Sequence, residues 1–165
     1  MQIKSLIVGV LCVFTGLAVT QAQHKNNLKI KKTNSKMTPK EVVIAYAEAL
    51  GKGDIPTAFS YFSNEIKWHQ PGSNKFSGTK NGPNGVGEMF SQMMDISKGT
   101  FALKPNGNIM KNNDLAVMPV RFSGEIENRK IDMAGIDLFK VVDGKVIEVW
   151  LFSDDQVVED NFWGK

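Results

Sequence analysis

Cysteine is nearly absent from this 165-residue chain, and the single one, Cys12, sits in an apolar leader. A mature chain that begins beyond it has no disulfide, no cysteine nucleophile and no thiolate metal ligand. Histidine is almost as scarce. His24 and His69 with scattered carboxylates show no metal-ligand spacing, so no metal and no other cofactor is expected. Acidic residues are missing from positions 1–37, which hold six of the 20 basic residues. The rest of the chain carries 14 basic and 17 acidic residues, so the pI of 8.9 belongs to the leader and the tail behind it. A basic surface for nucleic acid is therefore not expected. What remains is 42% apolar and 22% charged, the composition of one ordinary globular domain.

Residues 1–22 read as a secretory signal peptide. Lys4 supplies the positive start and Leu6–Val19 the apolar run, too short to span a bilayer comfortably. Thr20-Gln21-Ala22 places small residues where a signal peptidase needs them, so cleavage after Ala22 is expected. The mature protein is then secreted or periplasmic, with no stable membrane anchor; an uncleaved signal anchor is the alternative. Leu11 stands where a lipoprotein signal wants a small residue before Cys12, which argues against lipidation. Residues 23–37 are polar, lysine-rich and aperiodic, and read as a disordered spacer.

Residues 38–165 carry the periodic patterns of a folded domain. Thr38, Pro39 and Glu41 form a helix start, followed by Val42, Val43, Tyr46, Ala49 and Leu50 at helical spacing. Gly51-Lys52-Gly53 ends that helix, and Asp54 with Pro56 opens a second. Glu65–Gln70 alternates as a strand, with Ile66, Trp68 and Gln70 on one face. Residues 71–87 are rich in glycine, asparagine, serine and proline and read as a loop. Their glycines lack phosphate-loop spacing. A third helix is predicted over Gly85–Ile96, with Met89 and Met93 facing inward. Strands are predicted at about 100–110, 114–126, 130–142 and 145–154, separated by turns at Asn112-Asn113, Glu127-Asn128 and Asp143-Gly144. Near the C-terminus, Asp154 or Asp155 can cap a short helical turn. Phe162 and Trp163 are costly to leave in water, so they are expected to fold back over the domain.

A two-residue turn at Asp143-Gly144 predicts the register of the last hairpin. Val142 then pairs with Lys145, Phe139 with Glu148, Asp137 with Trp150 and Gly135 with Phe152. One face would carry Asp137, Phe139, Val141, Val146, Glu148, Trp150 and Phe152, aromatic rings with carboxylates among them. An apolar wall with a few polar groups is what a small-molecule pocket needs.

With these motifs in place, the chain resembles the nuclear transport factor 2-like superfamily, in its SnoaL-like (polyketide-cyclase-like) branch, over residues 38–165. The resemblance rests on Trp68-His69-Gln70-Pro71-Gly72, the Gly78–Gly87 loop, Gly135-Ile136-Asp137-Leu138-Phe139, Asp143-Gly144-Lys145-Val146 and Glu148-Val149-Trp150. It implies an α+β fold. A cone-shaped, strongly bent antiparallel or mixed sheet would wrap around the three helices of the N-terminal half and enclose a hydrophobic pocket. Homodimers through the sheet are common in such proteins. Members include cyclases, steroid isomerases, epoxide hydrolases and pure binding proteins, so the fold alone does not choose an activity.

The resemblance assigns Asp137 as the strand aspartate that works as acid or base, and puts His69 where some members keep a polar pocket residue. Strict alternation, however, sets His69 with Lys67 on the face away from Trp68, so a surface histidine and a pocket acid/base both stand. Trp68, Gln70, Met89, Phe139, Trp150 and Phe152 are the expected ligand-binding lining. Where cyclase-like members read Glu-His-Trp-Asp, this chain reads Glu148-Val149-Trp150-Leu151. Tyr46 and Tyr61 fall on helices, which leaves no recognisable tyrosine–aspartate pair. Arg121 is expected to face away from Asp137, because Met118, Val120 and Phe122 share the aspartate's side. The expected function is an exported domain that binds a small, mostly apolar molecule. The alternatives are a cofactor-free isomerase, cyclase or lyase using Asp137, and a protein-interaction module.

Overall fold

The computed structural model describes residues 36–165; the expected signal peptide and most of the spacer lie outside the described residues. Helix α1, Pro39–Gly51, is opened by the expected capping box. The Thr38 hydroxyl accepts from the Glu41 amide and the Glu41 carboxylate accepts from the Thr38 amide, satisfying two amides a helix start leaves open. Helix α2, Ile55–Ser60, is capped by Asp54 with proline in its first turn. Strand β1, Phe62–Gln70, begins three residues earlier than its alternation shows, because Phe62 is already buried.

The predicted loop over 71–87 is shorter than expected. Gly78–Asn81 forms strand β2, antiparallel to β1, and helix α3 starts at Gly82 and runs to Ile96. The predicted strand at 100–110 divides into β3, Ala102–Pro105, and β4, Met110–Asn112, both antiparallel to the long β5, Leu115–Ile126. Strands β6, Arg129–Val142, and β7, Lys145–Ser153, complete the meander. Asp143 (φ 56°) and Gly144 (φ 76°) make the two-residue turn, with left-handed backbone at both positions. Helix α4, Gln156–Trp163, closes the described chain with Asp155 as N-cap.

The seven strands lie in the order β2-β1-β7-β6-β5-β3, with β4 also on β5. Pairing of β1 with β7 is parallel, so the sheet is mixed. It curls without closing. Helix α1 packs on β5 and β6, α3 on β1 and β2, and α4 on β6 and β7. The expected α+β architecture is therefore found, with α4 added to the three expected helices.

The predicted register of the last hairpin holds only for its first two pairs. Val142 faces Lys145 and Val141 faces Val146, but Lys140 faces Glu148, leaving Ile147 as a bulge. A one-residue bulge reverses the parity of everything beyond it. Asp137 consequently faces Leu151, Phe139 faces Val149 and Leu138 faces Trp150. Glu148, Trp150 and Phe152 thus leave the face of Asp137 and pass to the outer face of the sheet.

Candidate functional site

The inner face is built in rows across neighbouring strands. Trp68, Val149, Phe139 and Ala116 form one row, and Leu151, Asp137 and Met118 the next. Trp68, Phe139, Met89 and Gln70, four of the expected lining residues, are all buried there. Val120 and Phe122 are buried on Asp137's side, while exposed Arg121 pairs with Asp132 at 2.7 Å on the other. The parity argued from the Glu127-Asn128 turn holds, since Ile126 faces Arg129.

Asp137 is 3% exposed. Burial, and then the nearby charge of Glu159, push its carboxyl up to about 7. No described residue hydrogen-bonds it. Among the described residues no side-chain nitrogen or oxygen is both sealed and unpartnered. The Asp137 carboxyl oxygens are therefore not completely sealed from solvent. Tyr46, set aside in the sequence because it lies on a helix, is 2% exposed and packs on Phe62 and Phe139. Its phenol is raised by burial and then by the charge of Asp137.

Glu159 is the acid that the sequence reading missed. It is 4% exposed, on the inward side of α4. The Trp68 indole donates to Gln70 Oε1 at 3.4 Å, and Gln70 Nε2 donates to Glu159 Oε1 at 3.1 Å. Ser153 Oγ and Gln156 Nε2 donate to the other oxygen of Glu159. Burial raises Glu159; hydrogen bonds from Ser153, Gln156 and Trp163 oppose the shift, and the charge of Asp160 adds to it. The signal in the sequence was the i, i+3, i+4 spacing of Glu159, Phe162 and Trp163, which put the acid on the same helical face as two buried rings.

His69 is not brought to Asp137. Alternation along β1 turns it outward, where Nε2 meets Glu148 Oε1 at 2.8 Å and Nδ1 meets Thr79 Oγ1 at 2.9 Å. Its ring stacks on Trp150 with centroids 5.4 Å apart. Trp150 and Phe152, expected in the pocket with Asp137, instead line an open outer groove of about 420 Å³ with Leu115, Leu138, Asp114 and Lys140. A second surface depression lies at Ser123, Lys130 and Asp132. Neither concavity includes Asp137. Helix α4 packs over β6 and β7 beside it, with Phe162 and Trp163 2% and 1% exposed. No group of three histidine, cysteine or acidic side chains able to hold a metal is present among the described residues.

A curled mixed sheet around helices, with polar groups set into its apolar inner face, defines the cone-shaped class of small domains. The SnoaL-like domain model matches residues 43–149, and the chain belongs to that family. A protein of unknown function with a cystatin-like fold from Xanthomonas campestris is 40% identical; the match covers 78% of this chain and all of that one, with TM-score 0.74. A nuclear transport factor 2-like protein of Burkholderia xenovorans is 15% identical over 79% of this chain and all of its own, with TM-score 0.65. IdmH of Streptomyces antibioticus, a proposed polyketide cyclase, is 18% identical over 72% of this chain and 93% of its own, with TM-score 0.57. No curated protein matches the chain.

Proposed function

We propose that the domain binds a small, mostly apolar molecule inside the cone, with Asp137 and Tyr46 as its polar contacts. The observation that carries this reading is the buried Asp137 carboxyl without a hydrogen-bond partner among the described residues. An unpartnered buried carboxyl costs stability, so a site that keeps one is expected to use it. Trp68, Phe139 and Met89 supply apolar surface around it. Native mass spectrometry of freshly purified protein should reveal a bound small molecule that Asp137→Asn retains less well. Protein that carries no ligand from its host, and the same result for the variant, would defeat this reading. The same spectrum reports the start of the chain: export with cleavage after Ala22, which the leader motivates, requires a mature mass beginning at Gln23.

A second reading is supported by the position of Asp137 near pH 7, where a general acid or base works best. The domain would then be a cofactor-free isomerase, cyclase or lyase, an activity class that IdmH's description also suggests. With a bound molecule in hand, Asp137→Asn separates the readings. Binding predicts lost affinity; catalysis predicts turnover reduced about 10²–10⁴-fold with affinity kept. Self-association through the outer face of the sheet is compatible with either.

A further inference from the structure

Only two acidic side chains are buried among the described residues, Asp137 and Glu159, and their surroundings are opposite. Glu159 hangs from α4 with three donors on its two oxygens: Gln70 from β1, Ser153 at the end of β7 and Gln156 from its own helix. Asp137 stands on β6, opposite Leu151, two residues before Ser153. It receives no hydrogen bond from the described residues. Of the other groups facing the pair, the Tyr46 phenol from α1 and Met118 from β5 are neutral, while the charge of Asp160 raises Glu159 further. Asp160, the next acid on α4, points instead to Asn74 and Ser73 on the rim.

Two neighbouring carboxylates in an apolar interior do not both stay charged, and a shared charge settles where donors already point at it. Hydrogen bonds to an ionised oxygen are about twice as strong as those between neutral groups. We propose that Glu159 is a positioning residue that holds the pair's single charge, leaving Asp137 as a neutral hydrogen-bond donor. The interior then accepts an apolar occupant bearing an uncharged acceptor, such as a carbonyl, and turns away a carboxylate. This rests on the reading of the cone interior as the ligand site. The raised position of Asp137 agrees with it.

Infrared titration of the protein tests the charge assignment without any ligand. Near pH 6 a protonated-carboxyl carbonyl band is expected that Asp137→Asn removes. Glu159→Gln should keep the band and lower its midpoint by about one pH unit. Ser153→Ala, a milder change that withdraws one donor from Glu159, should weaken the Asp137 band as the proton shifts toward Glu159. A band that survives Asp137→Asn and vanishes in Glu159→Gln overturns the proposal. So does the absence of any band, or a titration that neither Glu159→Gln nor Ser153→Ala moves. For the occupant, acetophenone and benzoate are compared by quenching of tryptophan emission. Acetophenone should bind at least ~10-fold more tightly. Equal or tighter binding of benzoate overturns the selectivity. Binding of neither overturns the cavity as their site, while the infrared result stands or falls on its own.

Discussion

Asp137 should make the whole domain sensitive to pH. Its carboxyl titrates near 7 in the folded protein and near 3.8 when exposed, so the folded state holds the proton more tightly than the unfolded one. The sign follows from linkage. The contribution is complete below about pH 4 and is lost as pH rises through about 7, amounting to as much as ~4 kcal/mol. Glu159 is raised as well and adds to the same slope. Asp137→Asn should therefore flatten most of the dependence and melt higher than the wild type near pH 8. Thermal melts from pH 4 to 8 read both effects, and a wild-type melting temperature that climbs with pH would contradict them. The sequence pointed to Asp137 through the family resemblance and through Phe139, Trp150 and Phe152 as its neighbours, of which only Phe139 shares its face. Tyr46 and Glu159 stayed hidden because each lies on a helix, far along the chain, and only the curl of the sheet brings them to the aspartate.

Elements decide which residues meet, and α4 shows how much a short one contributes. Its Asp155 accepts from the Val158 amide, and its inward face buries Glu159, Phe162 and Trp163. Trp163 packs edge-on against Phe76, Phe101 and Phe162. Asp160 is tied to Ser73 and Asn74, and the Lys75 amide donates to the Gly164 carbonyl, so the loop after β1 is stapled to the same helix. Trp163→Ala should cost about 3–5 kcal/mol and Asp155→Ala about 1 kcal/mol, read by urea denaturation. If both variants unfold with the wild type, α4 is a passive tail. The burial of Phe162 and Trp163 was legible from apolar area alone, and the caps of α1 and α2 from their serial motifs. The bulge at Ile147 was not. Val-Ile-Glu-Val-Trp alternates equally well in either register, and the choice is made by β1, which pairs with β7 in parallel from the far side and shifts its own register between Phe62 and Lys67. Only a partner distant in sequence carries that information.

At the scale of the whole molecule, the bulge has a consequence for assembly. It moves Trp150 and Phe152 onto the outer face of the sheet, where Phe152 is 55% and Ile136 42% exposed. These two face each other across β6 and β7, beside Leu138 and Leu115 in the outer groove. A contiguous apolar strip of this kind is where association with a second copy is expected to form. Its charged members, Asp114 and Lys140, are of opposite sign, so a second copy rotated by a two-fold axis can oppose unlike charges over a shared apolar centre. The surface is open, unlike the covered interior, so self-association and ligand binding make separate demands on the molecule. Phe152→Glu tests this cleanly. Phe152 is exposed and on the face opposite Asp137, so the change should leave the protomer folded and its infrared and ligand behaviour unaltered. In sedimentation velocity the wild type should run as a dimer at micromolar concentration and Phe152→Glu as a monomer. A destabilised association of more than about 1.4 kcal/mol would already show as a tenfold weaker dimer. A wild type that stays monomeric throughout would remove the dimer and leave the strip for a different partner. A dimer indifferent to Phe152→Glu would place the interface elsewhere on the molecule.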